Sequence, residues 1–154
     1  MILKEIDLFK ETEYAVMEKI TDTCTEEIFD KGTVIFKSGE AARYLYILEE
    51  GSINLLVERE ASFTFSLTER GTVFGWSSMA ESGLYTSSAI CELDSKIIKL
   101  DSKGLDKLFK QHPEVGVTIL RRLINVFSDR LLSAYQAHLH ILSAQGSQTP
   151  PSYG

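Results

Sequence analysis

The residues best suited to chemistry lie in one short loop, Gly71–Met79, with the sequence Gly-Thr-Val-Phe-Gly-Trp-Ser-Ser-Met. Glycine lets the backbone turn sharply and approach another group closely, which exposes amide N–H donors. Ser77 and Ser78 add hydroxyl groups two and three positions after Gly75, where a short helix could begin and hold an anion. The loop therefore predicts an anion-binding turn, with Trp76 as a flat apolar group beside it.

Other side chains that could support catalysis or bind a metal are sparse. No histidine occurs between Lys31 and Leu100, whereas a metal site built on strands needs about three His or carboxylate ligands. His138 and His140 are two positions apart on a predicted helix, so they face different directions. Nucleophile-elbow, phosphate-loop and dinucleotide motifs are missing. We therefore predict no enzyme activity, no catalytic residue, no metal and no certain cofactor. A small anionic or nucleotide-like molecule remains as the candidate ligand.

The charge and composition are those of an acidic globular protein. The chain has 154 residues and a formal net charge of -6, which disfavours DNA as the main partner because a nucleic-acid-binding surface needs a basic face. No apolar run approaches the roughly 18 residues of a membrane-spanning helix, and the N-terminus lacks a signal-peptide pattern. Cys24 and Cys91 lie far apart without metal spacing, which is typical of reduced thiols. We expect a cytoplasmic protein with no membrane contact.

Short strands are predicted around the loop. Residues 26–101 alternate short runs of β-branched and aromatic residues with turns that contain glycine, such as those at Gly32 and Gly51. Glu49 and Glu50 are expected to face solvent at a hairpin. Short strands at this density predict a sandwich or barrel and not a series of βαβ units.

Helices are predicted on both sides of the strands. Leu3–Thr25 has apolar residues at helical spacing, with Thr12 as a candidate cap inside it. Ser102 is a candidate cap for a short helix that ends near Phe109. Pro113–Ala144 contains no strong breaker after its first turn and predicts a helix roughly 48 Å long.

The long helix has two apolar rows. One row has alternating spacings of four and three and contains Leu120, Ile124, Phe127, Leu131, Ala134, His138 and Ile141; the second contains Leu132, Tyr135, Leu139 and Leu142. One small domain cannot bury both rows against its strands, so the pattern predicts a homodimer through this helix. The alternatives are that the N-terminal helices cover the second row, or that another protein does.

The organisation that follows is one domain with a loose tail. We predict a single domain over residues 1–144, with helices in 1–25, strands in 26–101 and helices in 102–144. Residues 145–154 are rich in Gly, Ser, Pro and Gln and are predicted to be disordered.

Several of these segments resemble the signature of cyclic-nucleotide-binding domains, as in catabolite-activator-type regulators. Residues 39–53, from Gly-Glu-Ala through Tyr-Leu-Tyr-Ile-Leu-Glu-Glu-Gly-Ser-Ile, are similar to the family pattern Gly-Glu…Leu-Tyr-x-Ile-x-x-Gly-x-Ile. Lys31–Phe36 fits the preceding strand, Phe74 and Gly75 fit the start of the phosphate-binding cassette, and 112–115 fits the start of the long helix. The resemblance implies a mainly β fold of the double-stranded β-helix or jelly-roll type, with flanking helices, and a regulatory role in signal transduction.

The resemblance also implies where a ligand would bind. In the family the cassette begins Phe-Gly-Glu, with the acid accepting the ribose hydroxyl, and a later Arg pairs with the cyclic phosphate. Trp76 and Ser87 stand at those two positions here, so cyclic AMP and cyclic GMP are not the expected ligands. The site could instead hold another small ligand. The positions that correspond to the family's cassette are Phe74, Gly75, Trp76, Ser77, Ser78, Met79, Ser87, Ser88 and Ala89.

A second departure concerns DNA. Regulators of this type continue past the long helix into a helix-turn-helix, whereas the residues after the long helix here contain no Lys or Arg. We therefore expect a stand-alone domain that does not bind DNA directly.

Two functions remain open from the sequence. The first is a regulatory module in which a small molecule enters the roll and moves the long helix. The second is a module that has lost ligand binding and serves dimerisation or protein docking. Trp76 either stacks on a flat ligand in the first case or fills the space that the ribose would occupy in the second.

Overall fold

Eight strands form two four-stranded antiparallel sheets, with helices on one side of the first sheet. The structure is a computed structural model that describes residues 3–144, so the predicted disordered tail lies outside the described residues. The strands are β1 (Cys24–Phe29), β2 (Val34–Phe36), β3 (Tyr44–Glu50), β4 (Ile53–Glu58), β5 (Ser62–Leu67), β6 (Val73–Phe74), β7 (Ser88–Cys91) and β8 (Ser95–Asp101). The helices are α1 (Tyr14–Asp22), α2 (Ser102–Gln111) and α3 (Pro113–Ala144), with short 3-10 turns at Leu3–Glu5, Asp7–Phe9 and Trp76–Met79.

The first sheet has the order β1-β8-β3-β6 and is buried on both faces in its two central strands, β8 and β3. Side chains alternate across a strand, so Leu45 and Ile47 of β3 enter the core under the helices, while Tyr46 and Leu48 enter the core between the sheets. A continuous apolar run is typical of such a strand. The second sheet, β2-β7-β4-β5, closes the other side of the roll. The predicted mainly β fold with flanking helices is confirmed.

Stacked aromatic rings fill much of the roll interior. Phe36 lies 3.8 Å from Tyr85 and 5.5 Å from Tyr46, measured between ring centroids, and Tyr46 lies 5.2 Å from Phe74. The Tyr85 hydroxyl donates a hydrogen bond to the Tyr44 carbonyl at 2.9 Å, which provides the polar end of a buried tyrosine with a partner. These contacts join β2, β3 and β6, and they hold β6 in place within the Gly71–Met79 loop.

The N-terminal region is less helical than its spacing predicts. Glu11 has a φ of 61°, which interrupts a right-handed helix. The α-helix therefore begins only at Tyr14, with Glu13 at the cap position and not Thr12. The helical prediction for Leu3–Thr25 is thus confirmed for α1. It is wrong for the segment before α1, where two 3-10 turns pack their apolar side chains under the sheet, and for Cys24 and Thr25, which belong to β1.

The C-terminal helices have the predicted order. The cap of α2 is Asp101, whose carboxylate accepts a hydrogen bond from Gly104 N at 3.0 Å, so the prediction of Ser102 as the cap is wrong by one residue. Helix α3 has 32 residues, as predicted. Its Arg122 donates hydrogen bonds to the carbonyls of Leu8 and Lys10, which fastens the N-terminal turns to the helix.

Glu49 is buried, in contrast to the solvent-facing position expected for it. Its carboxylate lies 3.1 Å from Lys96 Nζ and 4.0 Å from Arg70, and Lys96 also contacts Glu26. The Glu49 carboxylate raises the pKa of Lys96. A register irregularity between Leu48 and Glu50 accompanies this inward turn of the side chain.

Gly51 provides a test of the β3–β4 connection. Gly51 and Gly32 have positive φ values of 102° and 87°, but a Cβ on Gly51 would lie 2.5 Å from Asp94 O and 2.7 Å from Ser95 Cα, whereas a Cβ on Gly32 would meet nothing. We expect Gly32→Ala to lower the free energy of unfolding by about 1 kcal/mol from backbone strain. Gly51→Ala adds overpacking, so its loss should be about 1–3 kcal/mol larger. Urea denaturation measures both variants, and equal losses would contradict the packing of this turn.

Candidate functional site

The cassette begins where β6 ends and Gly75 reverses the chain. Gly75 is in the left-handed region, with φ 72° and ψ 25°. A Cβ there would lie 2.8 Å from the Tyr46 ring and 3.1 Å from the Tyr44 carbonyl oxygen. Both the backbone conformation and the close approach to β3 therefore require glycine. The turn places Trp76 beyond the edge of the sheet, next to α3.

The Trp76–Met79 turn uses part of its own hydrogen-bonding capacity. Ser78 N donates to the Gly75 carbonyl at 3.2 Å, and Ala80 N donates to the Ser77 carbonyl at 3.1 Å. These two N–H groups are thus satisfied inside the turn. An anion would have to compete with these bonds to reach them.

A cleft of about 440 Å³ opens between the roll and α3 beside Trp76. Its apolar wall is formed by Leu55, Val57, Phe65, Phe127, Leu131 and Ala134. The remaining lining residues are Trp76, Thr86, Ser87 and Arg130, so the described residues give the cleft one cation and no carboxylate. The β4–β5 pairing brings Leu55 opposite Phe65, which explains why residues of two strands form one wall.

Trp76 joins the cassette to α3 directly. Its ring centroid lies 4.8 Å from that of Phe127, with the two planes tilted by 53°. The Arg130 guanidinium lies 4.3 Å from the centroid of the same ring, which is a cation–π distance. Phe127 and Arg130 are three residues apart and therefore share a helix face. The observed surroundings of Trp76 are thus packing contacts with α3.

Arg130 is the one charged residue that the described part of the chain contributes to the cleft wall. Its Nη2 donates a hydrogen bond to the Val73 carbonyl, next to the cassette. Its Nη1 is buried and has no hydrogen-bond partner within residues 3–144. Burial lowers the pKa of Arg130 to about 10. On its other side Arg130 borders a second cavity of about 420 Å³, between the N-terminal turns, residues 70–73 and α3.

The structure distributes the nine residues at the predicted cassette positions among different environments. Trp76 and Ser87 line the cleft. Phe74 and Ala89 are fully buried in the roll, and Ser77 is buried beside the helices. Gly75 forms the reversal described above. The Ser88 hydroxyl accepts a hydrogen bond from Ser38 N at 3.0 Å, while Ser78 and Met79 border a different cavity, next to α2.

Several residues at the cleft were not singled out from the sequence as ligand contacts. Leu55, Val57 and Phe65 were visible only as alternating strand residues, and Phe127 only as a member of the apolar row of α3. Arg130 had one weak signal: it is a charged residue three positions after Phe127 and four before Ala134, on an otherwise apolar helix face.

No cluster of three or more His, Cys, Asp or Glu residues within 3–144 could hold a metal ion. None of the helices in this part of the chain has both the length and the hydropathy to cross a membrane.

The contact of Phe127 with Trp76 generates a direct test, because Trp76 is the single tryptophan of the chain. We expect Phe127→Ala to lower the free energy of unfolding by about 1–3 kcal/mol, as for a half-buried aromatic, and to shift the Trp76 emission to longer wavelength as water reaches the ring. Phe63, exposed on β5, provides the control. Phe63→Ala should leave the emission unchanged, and an unchanged spectrum in Phe127→Ala would refute the contact.

Comparison with known proteins identifies the fold. The family model for the cyclic nucleotide-binding domain matches residues 26–112, more than half of the chain. A cyclic nucleotide-binding domain from Methylobacillus flagellatus has a TM-score of 0.78 at 18% identity, over 99% of this chain and 83% of that one. A putative cyclic nucleotide-binding protein from Geobacter metallireducens has a TM-score of 0.75 at 24% identity, over 84% and 95%.

A third solved structure is the regulatory subunit of a cAMP-independent protein kinase A from Trypanosoma brucei. It has a TM-score of 0.72 at 16% identity, over 90% of this chain and 49% of that one. These structural likenesses concern the fold. No curated protein sequence matches the chain significantly. The resemblance inferred from the sequence motifs is confirmed by the family match, and the chain belongs to the cyclic nucleotide-binding domain family.

Proposed function

We propose that this chain is a regulatory ligand-sensing module whose cassette is not built for cyclic AMP or cyclic GMP. The single observation that carries the proposal is the position of Trp76, which packs against Phe127 and Arg130 of α3. The family resemblance puts a glutamate at this position to accept the ribose hydroxyl. An indole ring has no acceptor for that hydroxyl, and its bulk occupies the space beside the turn.

The loss of the two charged anchors would remove a large part of the binding free energy of a cyclic nucleotide. A hydrogen bond to a charged group contributes about 1.5–3 kcal/mol. With Trp76 and Ser87 in place of an acid and an arginine, two such contacts to a cyclic nucleotide are lost. At 1.4 kcal/mol per factor of ten, the loss corresponds to roughly 100-fold to 10,000-fold in affinity.

The position of the cleft supports a sensing role. Its walls come from β4 and β5 on one side and from α3 on the other. A molecule in the cleft would therefore contact the roll and the helix at the same time. Such a ligand changes the position of α3 only if it binds the two arrangements of the helix with different affinity. Helix α3 is thus the element that would transmit the signal.

One structural neighbour is in accord with this proposal. The Trypanosoma brucei subunit is described as part of a cAMP-independent protein kinase A. A regulatory protein of this fold is therefore described as independent of cAMP, and we extend that independence to this chain as a proposal.

A second candidate function is a ligand-free docking or dimerisation module. The observation in its favour is that Trp76 and Phe127 already join the cassette to α3 with no ligand between them. A thermal-shift series with nucleoside monophosphates, cyclic nucleotides and fatty carboxylates distinguishes the two functions. Binding at 100 times the Kd adds about 2.7 kcal/mol to stability, whereas a module without a ligand site would give no rise with any of them.

We further propose that α3 forms a homodimer. Many large apolar side chains of α3 from Leu120 onward are exposed: Leu120, Ile124, Leu131, Leu132, Tyr135, Leu139 and Ile141. The fully buried residues of α3, by contrast, all lie near its start, at Gly116, Ile119 and Leu123. The N-terminal turns therefore do not cover this surface. A second copy of α3 is the simplest symmetric cover for an apolar stripe of this length.

The nucleotide prediction is tested by calorimetry. We expect no heat of binding from cyclic AMP or cyclic GMP at micromolar concentrations. The double variant Trp76→Glu with Ser87→Arg restores both charged anchors and should gain measurable affinity for cyclic AMP. The single variant Ser87→Arg is the control, since it leaves the indole in place. Micromolar binding by the unmodified chain would refute the proposed change in specificity.

The dimer prediction is tested by light scattering at tens of micromolar protein. We expect the mass of a dimer for the unmodified chain. Ile124→Glu with Leu131→Glu places two charges on one apolar stripe and should give a monomer with an unchanged circular dichroism spectrum. Asn125→Glu with Gln136→Glu adds the same charge at exposed polar positions and should remain dimeric. A monomer mass for the unmodified chain would refute the interface.

A further inference from the structure

Arg130 is a half-buried cation whose Nη1 is fully buried. Within residues 3–144 no carboxylate forms an ion pair with it, and the ion pairs of this part of the chain belong to other basic residues. The contacts observed for its guanidinium are the Val73 carbonyl and the Trp76 ring face. Arginine has five N–H donors, and those of Nη1 are buried and unused by the described residues.

Such an arrangement is costly unless another group completes it. Burial of a charge is unfavourable when the charge is neither paired nor fully hydrogen-bonded. Among the described residues, the other polar side chains of the cleft wall are Thr86, Ser87 and the Trp76 indole, and none of them carries a negative charge. The group that best completes a guanidinium is an anion with two oxygens, such as a carboxylate.

The rest of the cleft selects the body of the ligand. Leu55, Val57 and Phe65 form one apolar wall, and Phe127 and Leu131 form the opposite one. No Asp or Glu of residues 3–144 lines this cleft, although the whole chain has a net charge of -6. The acidic residues that border Arg130 on its other side, Glu5, Asp7 and Asp129, line the second cavity. An apolar cleft with one convergent polar group is typical of small-molecule sites.

We propose that this cleft binds a small amphipathic carboxylic acid, with its apolar body between the roll and α3 and its carboxylate on Arg130. The inference rests on the proposed ligand-sensing function and names the chemical class of ligand for the same cleft. Arg130 then replaces, from the helix side, the cassette arginine that Ser87 does not provide. The acid would contact β4, β5 and α3 at the same time. Its binding would therefore act directly on α3, the helix that carries the exposed apolar stripe.

Fluorescence of Trp76 tests the inference, because the ring lies 4.3 Å from the guanidinium that should take the acid. The probes are octanoate and hydrocinnamate, each paired with its neutral amide, octanamide and hydrocinnamide. We expect both acids to change the emission in a saturable manner. Loss of a charge-assisted contact should make each amide about 10-fold to 150-fold weaker than its acid.

Three variants locate the effect. Arg130→Gln should abolish the preference for acid over amide, and Arg130→Lys should keep part of it, because the charge remains while the planar fork is lost. Arg121, exposed on the same helix, provides the control, and Arg121→Gln should behave as the unmodified chain. Circular dichroism melting verifies that each variant is folded. Arg130→Lys preserves the test if Arg130→Gln does not fold.

The inference is overturned if neither acid saturates the emission below about 1 mM, if acid and amide bind equally, or if Arg130→Gln keeps the preference. These outcomes are separate from failure of the proposed function. Micromolar binding of cyclic AMP in calorimetry would overturn the proposed change in specificity, whether or not the acids bind. If calorimetry shows no binding of cyclic AMP and neither acid changes the emission, the proposed change in specificity is retained and the acid site is refuted.

Discussion

The architecture depends on the double burial of β3. This strand lies between two cores, so its alternate side chains must satisfy the helical layer and the roll interior at once. Tyr46 faces the roll, stacks on Phe74 and abuts Gly75. A one-residue slip of β3 would exchange the two sets of side chains and remove that support. The position of the cassette is thus a consequence of the register of a central strand.

The cleft arises because α3 continues beyond the part of the fold that buries it. The first turns of the helix are held by Gly116, Ile119 and Leu123 against the core. Further along, the contacts come from single side chains, above all Phe127 and Arg130 against the cassette. A helix held firmly at one end and by a few contacts at the other can change its angle at modest cost, which suits an element that responds to a ligand.

The chain has the scaffold of its family, and we propose that its site has a different chemistry. The segments that match the family model provide strands, turns and the start of α3. The two positions that would be charged toward a cyclic nucleotide are Trp76 and Ser87, and the cation nearest the cleft belongs to α3. In the function that we propose, the positive charge that would hold an anion lies on the helix and not in the cassette. The helix would then contact the ligand itself, which is why we place the sensing mechanism there.

The sequence by itself determined the elements whose signals are local. Alternation and apolar runs indicated the strands, the absence of breakers after Pro113 indicated a helix of the observed length, and the glycines next to Phe74 and Trp76 indicated the sharp turn that is observed at Gly75. Side-chain period and turn chemistry are properties of neighbouring residues, so they can be inferred from spacing alone. Where local signals compete, as at Thr12 and Ser102, the position of the cap was missed by one residue.

Only the tertiary structure decided which distant residues meet. Trp76 is far from Phe127 and Arg130 in sequence, and their contact depends on the path of α3 across the open end of the roll. Glu49 is buried because β8 supplies Lys96 beside it, a pairing that no local pattern of acidic residues predicts. Both cases have the same physical reason. A charge or a ring acquires its role from the groups that desolvate it, and those groups come from other elements of the fold.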